Sequence, residues 1–283
     1  MKILVTGNQG FIGMCLTEFL KKEEHIVMGY DLKSGLDTRN LSQLEGVFTK
    51  FGPEVVIHLA ALTGVRNSYK IPTKYYETNI QGTHNVLEAA KIAGVKKVLV
   101  ASSSTVYGNQ ECPLKEEQAP GKAISPYGVS KIATENVCNL FPDLPIIIFR
   151  PFTVYGDNGR KNMVVYKIIN DGKNNKVFAK YGDGSSKRGY THVDDLVEGI
   201  NKLIEYQQKD NLEIFNLGGK EIVILNELIE LAKETFPDLE IKEIDKQKGD
   251  VDESYANISK AENLVGFSPS RKFKNEFLRL CQQ

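Results

Sequence analysis

Short apolar runs recur through the first 151 residues, and each gives way to helical spacing. The runs are KILVT (2–6), HIVMGYD (25–31), PEVVIHLAA (53–61), VKKVLVASSS (95–104) and LPIIIFRP (144–151). Strands that are apolar on both faces must be covered on both faces, which is the condition of a parallel sheet with helices above and below it. The intervening segments read as those helices: 10–23, 41–51, 72–94 and 127–141. Pro72 stands near the start of the third helix and Gly94 where its C-terminal cap falls. Right-handed crossovers then give an α/β fold of the Rossmann type, a doubly wound parallel sheet.

After residue 156 the rhythm changes to glycine-rich loops, short strand patterns (176–182 and 213–219) and helices (192–206 and 224–236). We expect residues 1–156 to form the dinucleotide-binding part. Residues 157–283 are expected to form mainly a smaller α+β substrate-binding region, with some segments returning to the first part, and a site between the two.

Bulk properties narrow the class. Lys and Arg number 36 and so do Asp and Glu, so no overall field favours nucleic acid or an anionic membrane. The four cysteines (15, 112, 138 and 281) form no C-x-x-C pair, which argues against a metal or disulfide framework and fits a reducing cytoplasm. No apolar run approaches the roughly 20 residues that span a bilayer, and the opening strand pattern is unlike a signal peptide.

The stretch VTGNQGFIG places Gly7, Gly10 and Gly13 between the first strand and the first helix. Backbone N–H groups at a helix N-terminus, with no side chain in the way, suit a pyrophosphate. In that reading Gln9, Phe11 and Ile12 line the same turn. A glycine triplet alone reads equally as a turn, but here Asp31 closes the second strand 18 residues after Gly13. A carboxylate near that distance suits a ribose and disfavours a 2′-phosphate, so the expected cofactor is NAD, although Lys33 weakens the distinction from NADP.

Tyr127 and Lys131 are one helical turn apart on one face. An ammonium beside a phenol, together with a positive nicotinamide, stabilises the phenolate and makes tyrosine a usable base. Alone, Y-x-x-x-K is commonplace. Its weight comes from the serine run 102–104 at the end of a predicted strand, where doubly wound sheets carry their sites.

Taken together, TGNQGFIG, HLAA (58–61), SSSTVYG (102–108), YGVSK (127–131), FRPFTVYG (149–156) and RGYTHVDD (188–195) resemble, in order, the extended short-chain dehydrogenases/reductases. That family includes the nucleotide-sugar epimerases and dehydratases. The resemblance runs to about residue 270. It implies that Leu59, Ala60 and Ala61 line the cofactor, that Asp37 and Thr38 meet adenine, and that Asn79 lies near the cofactor. Ser103 takes the place of the family's catalytic Ser/Thr beside Tyr127 and Lys131, whereas Ser102 and Ser104 are expected to satisfy backbone groups at the strand end. The related 4,6-dehydratases carry Asp-Glu where this chain has Ser104 and Thr105, so hydride transfer at the sugar C4 is the chemistry left.

The same resemblance gives substrate candidates. Arg66, in a Gly-Val-Arg loop, reads as a ligand for a diphosphate or a sugar carboxylate, or equally as a solvated loop arginine. Arg188 is similar to a diphosphate-binding arginine, Tyr181 to the residue beside uracil, and Asp250 to the acid on the nucleotide ribose, with Gln247 three residues before it. Ser104, Thr105, Thr153 and Asn162 complete the expected substrate set. His58 and His192 read as packed histidines, and no metal site is expected.

The implied activity is an NAD-dependent epimerisation of a nucleotide sugar, a UDP-sugar, at C4 through a transient 4-keto intermediate. The short connection between Asp31 and Asp37 instead resembles the 4-keto-6-deoxy-sugar reductases, which stand as the alternative. A dinucleotide sensor without catalysis is the non-enzymatic alternative. By resemblance the chain is a homodimer, through a four-helix bundle of the helices at about 72–93 and 127–141.

Overall fold

The computed structural model describes residues 1–118, 120–247 and 249–283. Its centre is a six-stranded, wholly parallel sheet made of β1 (Lys2–Thr6), β2 (Ile26–Tyr30), β3 (Val55–His58), β4 (Lys97–Ala101), β5 (Ile146–Pro151) and, much later in the chain, Leu212–Leu217. Starting from the late strand, the spatial order is Leu212–Leu217, β5, β4, β3, β1, β2.

Side chains of a strand alternate between faces, and the core divides accordingly. On one face Ile3 and Val5 pack with Leu16 and Leu20 of α1 (Phe11–Lys22) and with the later helix Val193–Glu205. On the other, Leu4, Val56 and Val98 pack with Leu44 and Phe48 of α2 (Leu41–Phe51) and with the helices after β3 and β4. Full burial of each such aliphatic side chain contributes about 1.5–3 kcal/mol. The expected parallel α/β architecture is therefore the observed one.

Strand β1 is flanked by β2 and β3, so the chain reverses direction across the sheet there. A reversal of strand order leaves a crevice at the carboxyl ends, where ligands of open α/β sheets bind. Only a short turn and a 3-10 segment (Leu32–Ser34) separate β2 from α2, which leaves β2 at the sheet edge.

After β3 come α3 (Val65–Ser68), α4 (Pro72–Tyr76), a π-helical segment (Glu77–Gln81) and α5 (Gly82–Ile92). The last three form the continuous helix expected at 72–94, with Gly94 beyond its end at φ +65°. Then α6 (Pro126–Cys138) opens with Ser125 as its N-cap, the hydroxyl accepting from the Gly128 N–H at 3.0 Å, and with Pro126 in the first turn.

The segment after residue 156 serves both layers. Leu212–Leu217 pairs in register with Ile146–Pro151, and Val193–Glu205 covers the sheet beside α1. The remainder builds a separate core from Val164–Lys173, Leu225–Lys233 and Phe273–Gln282 around Tyr155, Ile168, Leu228 and Phe277. Among the described residues no helix is long and apolar enough to cross a membrane.

Candidate active site

The three glycines of the first turn meet three different demands. Gly7 has φ +72°, and a Cβ there would sit 2.7 Å from the Ala60 nitrogen. At Gly13 a Cβ would meet the Gly7 carbonyl oxygen at 2.1 Å, so that glycine lets α1 press against the turn. Gly10 is exposed, and its Cβ would meet only the Gly7 oxygen, at 3.2 Å. Internal packing explains Gly7 and Gly13. An open backbone face at Gly10, before a helix whose N-terminus has no side-chain cap, is a cradle that a Cβ would fill. The residues present thus fit a dinucleotide pyrophosphate. Phe11 and Ile12 begin the helix and pack inward on the sheet core.

Asp31 grips both sides of this cradle. Its Oδ2 accepts from the Gln9 N–H at 3.0 Å and its Oδ1 from the Lys33 N–H at 2.9 Å. The Lys33 ammonium donates to the Gln9 carbonyl at 2.8 Å, and the Gln9 amide donates to the Ser34 hydroxyl. Each carboxylate oxygen retains a lone pair for a ribose hydroxyl. Asp37 lies past the turn, and its carboxylate is held by the Arg39 guanidinium, with Nη2–Oδ2 at 2.6 Å. That hydrogen-bonded cation holds the Asp37 carboxyl below its usual range. Thr38 is buried against Gly82, whose Cβ would meet its Oγ1 at 2.7 Å.

Leu59, Ala60 and Ala61 run beside the glycine turn. The Leu59 N–H donates to the Thr6 carbonyl at 3.1 Å and the Ala60 N–H to the Thr6 hydroxyl oxygen at 3.2 Å. Asn79, 1% exposed within the π segment, braces the next residue: its Oδ1 accepts from the Leu62 N–H at 2.7 Å, and its Nδ2 donates to the Leu62 carbonyl at 2.9 Å. The same Nδ2 donates to the Ser130 hydroxyl of α6 at 2.9 Å. Asn79 thus ties the loop after β3 to the helix of Tyr127.

His58 is packed, as expected. The Thr83 hydroxyl donates to the Asn79 carbonyl at 2.6 Å, so it must accept from His58 Nε2–H at 3.0 Å; Nδ1 then accepts from the Thr6 hydroxyl at 2.7 Å. Burial, with the nearby Lys131 charge, pushes the imidazole down to about 3.

Ser103, Tyr127 and Lys131 converge at the carboxyl end of β4. Ser103 caps the 3-10 turn Ser104–Tyr107, its Oγ accepting from the Thr105 N–H at 3.2 Å, and its side chain hydrogen-bonds to Tyr127. The Tyr127 ring stands edge-on to Tyr75, with centroids 6.1 Å apart. Lys131 is buried and donates to the Ala101 carbonyl at 2.7 Å. Burial lowers it to about 8, opposed chiefly by the charge of Glu135.

The phenol differs in direction from the sequence reading. Burial raises the Tyr127 pKa, and the Ser103 hydrogen bond and the Arg160 charge offset this only in part. A lysine turned to a carbonyl does not outweigh desolvation of a buried phenol; a cationic nicotinamide alongside would oppose that desolvation.

A second correction concerns Ser102. Its hydroxyl donates to the carboxylate of Glu135, not to a strand-end backbone group. Thr105 Oγ1 is buried without a partner beside Ser104, an orphan consistent with a missing ligand group.

A cleft next to these residues is lined by Arg66, Asn162, Tyr181 and Asp250 from the expected substrate set. The Arg66 guanidinium lies 4.4 Å from the Tyr181 ring centroid and 3.3 Å from Asp250 Oδ2. Gln247 closes the turn before Asp250, its carbonyl accepting from the Asp250 N–H at 3.2 Å. Arg188 lies beside this segment, donating to the Val251 carbonyl at 2.7 Å and the Asp252 carbonyl at 3.1 Å. The Thr153 carbonyl accepts from the Thr191 N–H at 2.9 Å at the start of the second region. His192 caps the helix Val193–Glu205 at the junction of the two regions and is buried.

Sequence reasoning missed Arg160. It lines the cleft, donates to the Thr63 hydroxyl, and its charge reaches Tyr127. An arginine in an irregular glycine-rich loop carries no periodicity that would mark it. Among the described residues no group of three or more His, Cys, Asp or Glu could hold a metal ion.

Comparison with known proteins agrees with this geometry. Residues 3–218 match the model of the NAD-dependent epimerase/dehydratase family. A UDP-glucuronate 4-epimerase of Thermodesulfobacterium geofontis is 34% identical over 295 residues, covering 94% of this chain and 90% of the relative. Protein CapI of Staphylococcus aureus is 32% identical, covering 95% and 94%. Among solved structures, the UDP-glucuronic acid 4-epimerase of Bacillus cereus with UDP-glucuronic acid and NAD superposes with a TM-score of 0.90. It is 30% identical, and the match covers 100% of this chain and 98% of that one. The UDP-glucose 4-epimerase of Thermotoga maritima gives 0.93 at 29% identity with the same coverage. With the glycine cradle, Asp31 and Ser103 all following the carboxyl ends of strands of one parallel sheet, the chain belongs to the NAD-dependent epimerase/dehydratase family.

Proposed function

We propose that the protein is an NAD-dependent UDP-sugar 4-epimerase, and that its substrate is a UDP-hexuronate. The observation that carries this is the convergence of Ser103, Tyr127 and Lys131 beside the dinucleotide cradle, with Ser104 and Thr105 where dehydration would need acids. In the relatives named above the bound or transformed sugars include UDP-glucuronic acid. The Arg160 cation, close enough to act on Tyr127, supplies a partner for a sugar carboxylate in this chain.

The Gly7–Gly13 cradle and Asp31 would hold NAD, which would supply reversible hydride transfer at the sugar C4. Tyr127 takes the C4-hydroxyl proton and later returns it, Ser103 orients that hydroxyl, and Lys131 holds the nicotinamide ribose and favours the phenolate. Arg66, Tyr181 and Asp250 hold the nucleotide end. A 4-keto reductase would consume reduced cofactor with each turnover.

Incubation with UDP-glucuronate without added NAD, followed by NMR, distinguishes the readings. The expected product is the C4 isomer with no net change in cofactor. Product formation only with stoichiometric reduced cofactor would assign a reductase instead.

Dimerisation through α5 and α6 is part of the same proposal: Ile92, Val129 and Leu140 are exposed on or beside these helices. Sedimentation should give a dimer, and Val129→Lys with Leu140→Lys a monomer. The four free cysteines suit a cytoplasmic enzyme.

A further inference from the structure

One turn beyond Lys131, α6 carries another charged residue into the interior: Glu135, 5% exposed. Its Oε1 accepts from Arg150 Nε at 2.9 Å and its Oε2 from Nη2 at 2.7 Å, and Oε1 also accepts from the Ser102 hydroxyl. Arg150, 1% exposed, uses Nη1 to donate to the Tyr107 hydroxyl at 2.7 Å, and Tyr107 donates to Asn216 Oδ1 at 2.8 Å. Ser102 and Tyr107 are the two ends of the segment that bears Ser103, Ser104 and Thr105. One ion pair thus ties both ends of that segment to the helix of Tyr127 and Lys131.

A buried ion pair is a poor source of net stability, because desolvation costs about as much as the attraction returns. Its placement points to another use. We propose that Glu135, paired with Arg150, is a positioning residue for the epimerisation, fixing the Ser103 segment against α6 and supplying the counter-charge one turn from Lys131. This rests on the epimerase reading above.

The charges around Lys131 are few. On its own helix stand Tyr127, Glu135 and Cys138; from β3 comes His58, neutral above about 3; from β4 comes the Ala101 carbonyl. Glu135 is the leading influence opposing the downward pull of burial on Lys131. Glu135 itself faces Arg150 from β5, Ser102 at the end of β4 and, through Arg150, Tyr107.

The test is Glu135→Gln combined with Arg150→Met, which leaves no unpaired buried charge, compared with Glu135→Asp and Ser102→Ala. Lys131 should lose its proton at lower pH in the double variant, and Tyr127 should ionise at higher pH. The pH profile of kcat should narrow from both sides, kcat should fall about tenfold or more, and KM should change little. Near-ultraviolet titration of the Tyr127 phenolate on the NAD-bound protein, read against Tyr127→Phe, should move upward. Glu135→Asp keeps the charge and should keep both limbs of the profile, at reduced kcat. Ser102→Ala should lower kcat severalfold at constant KM.

A folded double variant with the wild-type profile and titration would reduce the pair to packing. If the double variant does not fold, wild-type kcat in Ser102→Ala overturns the proposal. Wild-type protein that isomerises no UDP-sugar would count against the epimerase reading, and the phenolate titration would still report on Glu135.

Discussion

Gly7, Gly10 and Gly13 share a residue type but not a reason for it, and substitution separates the reasons. Alanine at Gly7 must adopt φ +72° with its Cβ 2.7 Å from the Ala60 nitrogen, and at Gly13 its Cβ meets a carbonyl oxygen at 2.1 Å. Both variants should lose stability, by about 1–3 kcal/mol or more. At Gly10 the single neighbour at 3.2 Å can give way, so Gly10→Ala should unfold within about 1 kcal/mol of wild type yet bind NAD far more weakly. Urea unfolding alongside NAD titration checks this; equal losses of stability at all three would remove the case for a ligand-facing backbone. At the same scale, Tyr127→Phe removes the hydroxyl proposed as proton acceptor but not the cradle. Activity should drop by about 10²–10⁴-fold with NAD still bound, and near-wild-type turnover would rule out Tyr127 as the base.

Among the elements, the Glu77–Gln81 π segment is the irregular one, and its position explains it. It presents the Asn79 carbonyl to two hydroxyls, Thr83 at 2.6 Å and Thr134 at 3.0 Å, while the Asn79 amide braces Leu62 and Ser130. Single π turns recur where a function needs a residue that a regular helix would misplace. Asn79→Ala strands the Leu62 N–H and C=O, so stability should fall by about 1–3 kcal/mol and the NAD dissociation constant should rise as the Leu59–Leu62 loop loosens. A variant that loses stability but binds NAD normally would make Asn79 a core residue only.

The sequence could not show this segment, because a π turn has the same residue preferences as the helix around it. The first five strands were legible because they are apolar on both faces, and the helices because their apolar residues keep helical spacing, helped in α6 by its Ser125 cap. Leu212–Leu217 read as a short strand of the second region, since its pairing with Ile146–Pro151 lies 66 residues away in register. Glu135 and Arg150 were invisible for a related reason: two charges in apolar runs look like exposed positions until their partners are found.

At the scale of the whole molecule, the strand reversal at β1 puts one polar chain through the centre of the fold: Ala60, Thr6, His58, Thr83 and Asn79. Its middle member makes global stability depend on pH. His58 has its ordinary pKa of 6.5 when unfolded and about 3 when folded. Between those values the unfolded chain binds a proton that the native state refuses, so ν_U exceeds ν_N and stability rises with pH. The His58 contribution is fully present above about 6.5 and is lost as pH falls toward 3. The slope approaches about 1.4 kcal/mol per pH unit in the middle of that window. Carboxylates titrate in the same range, so the measurement is the difference between wild type and His58→Asn in urea unfolding from pH 7 to pH 4. The asparagine loses a constant amount for its imperfect fit to Thr6 and Thr83, and that loss should shrink steadily below pH 6. A difference that stays flat across the range would mean that the native fold takes up the His58 proton as readily as the unfolded chain does, with Nδ1 then donating to the Thr6 hydroxyl oxygen instead of accepting from it.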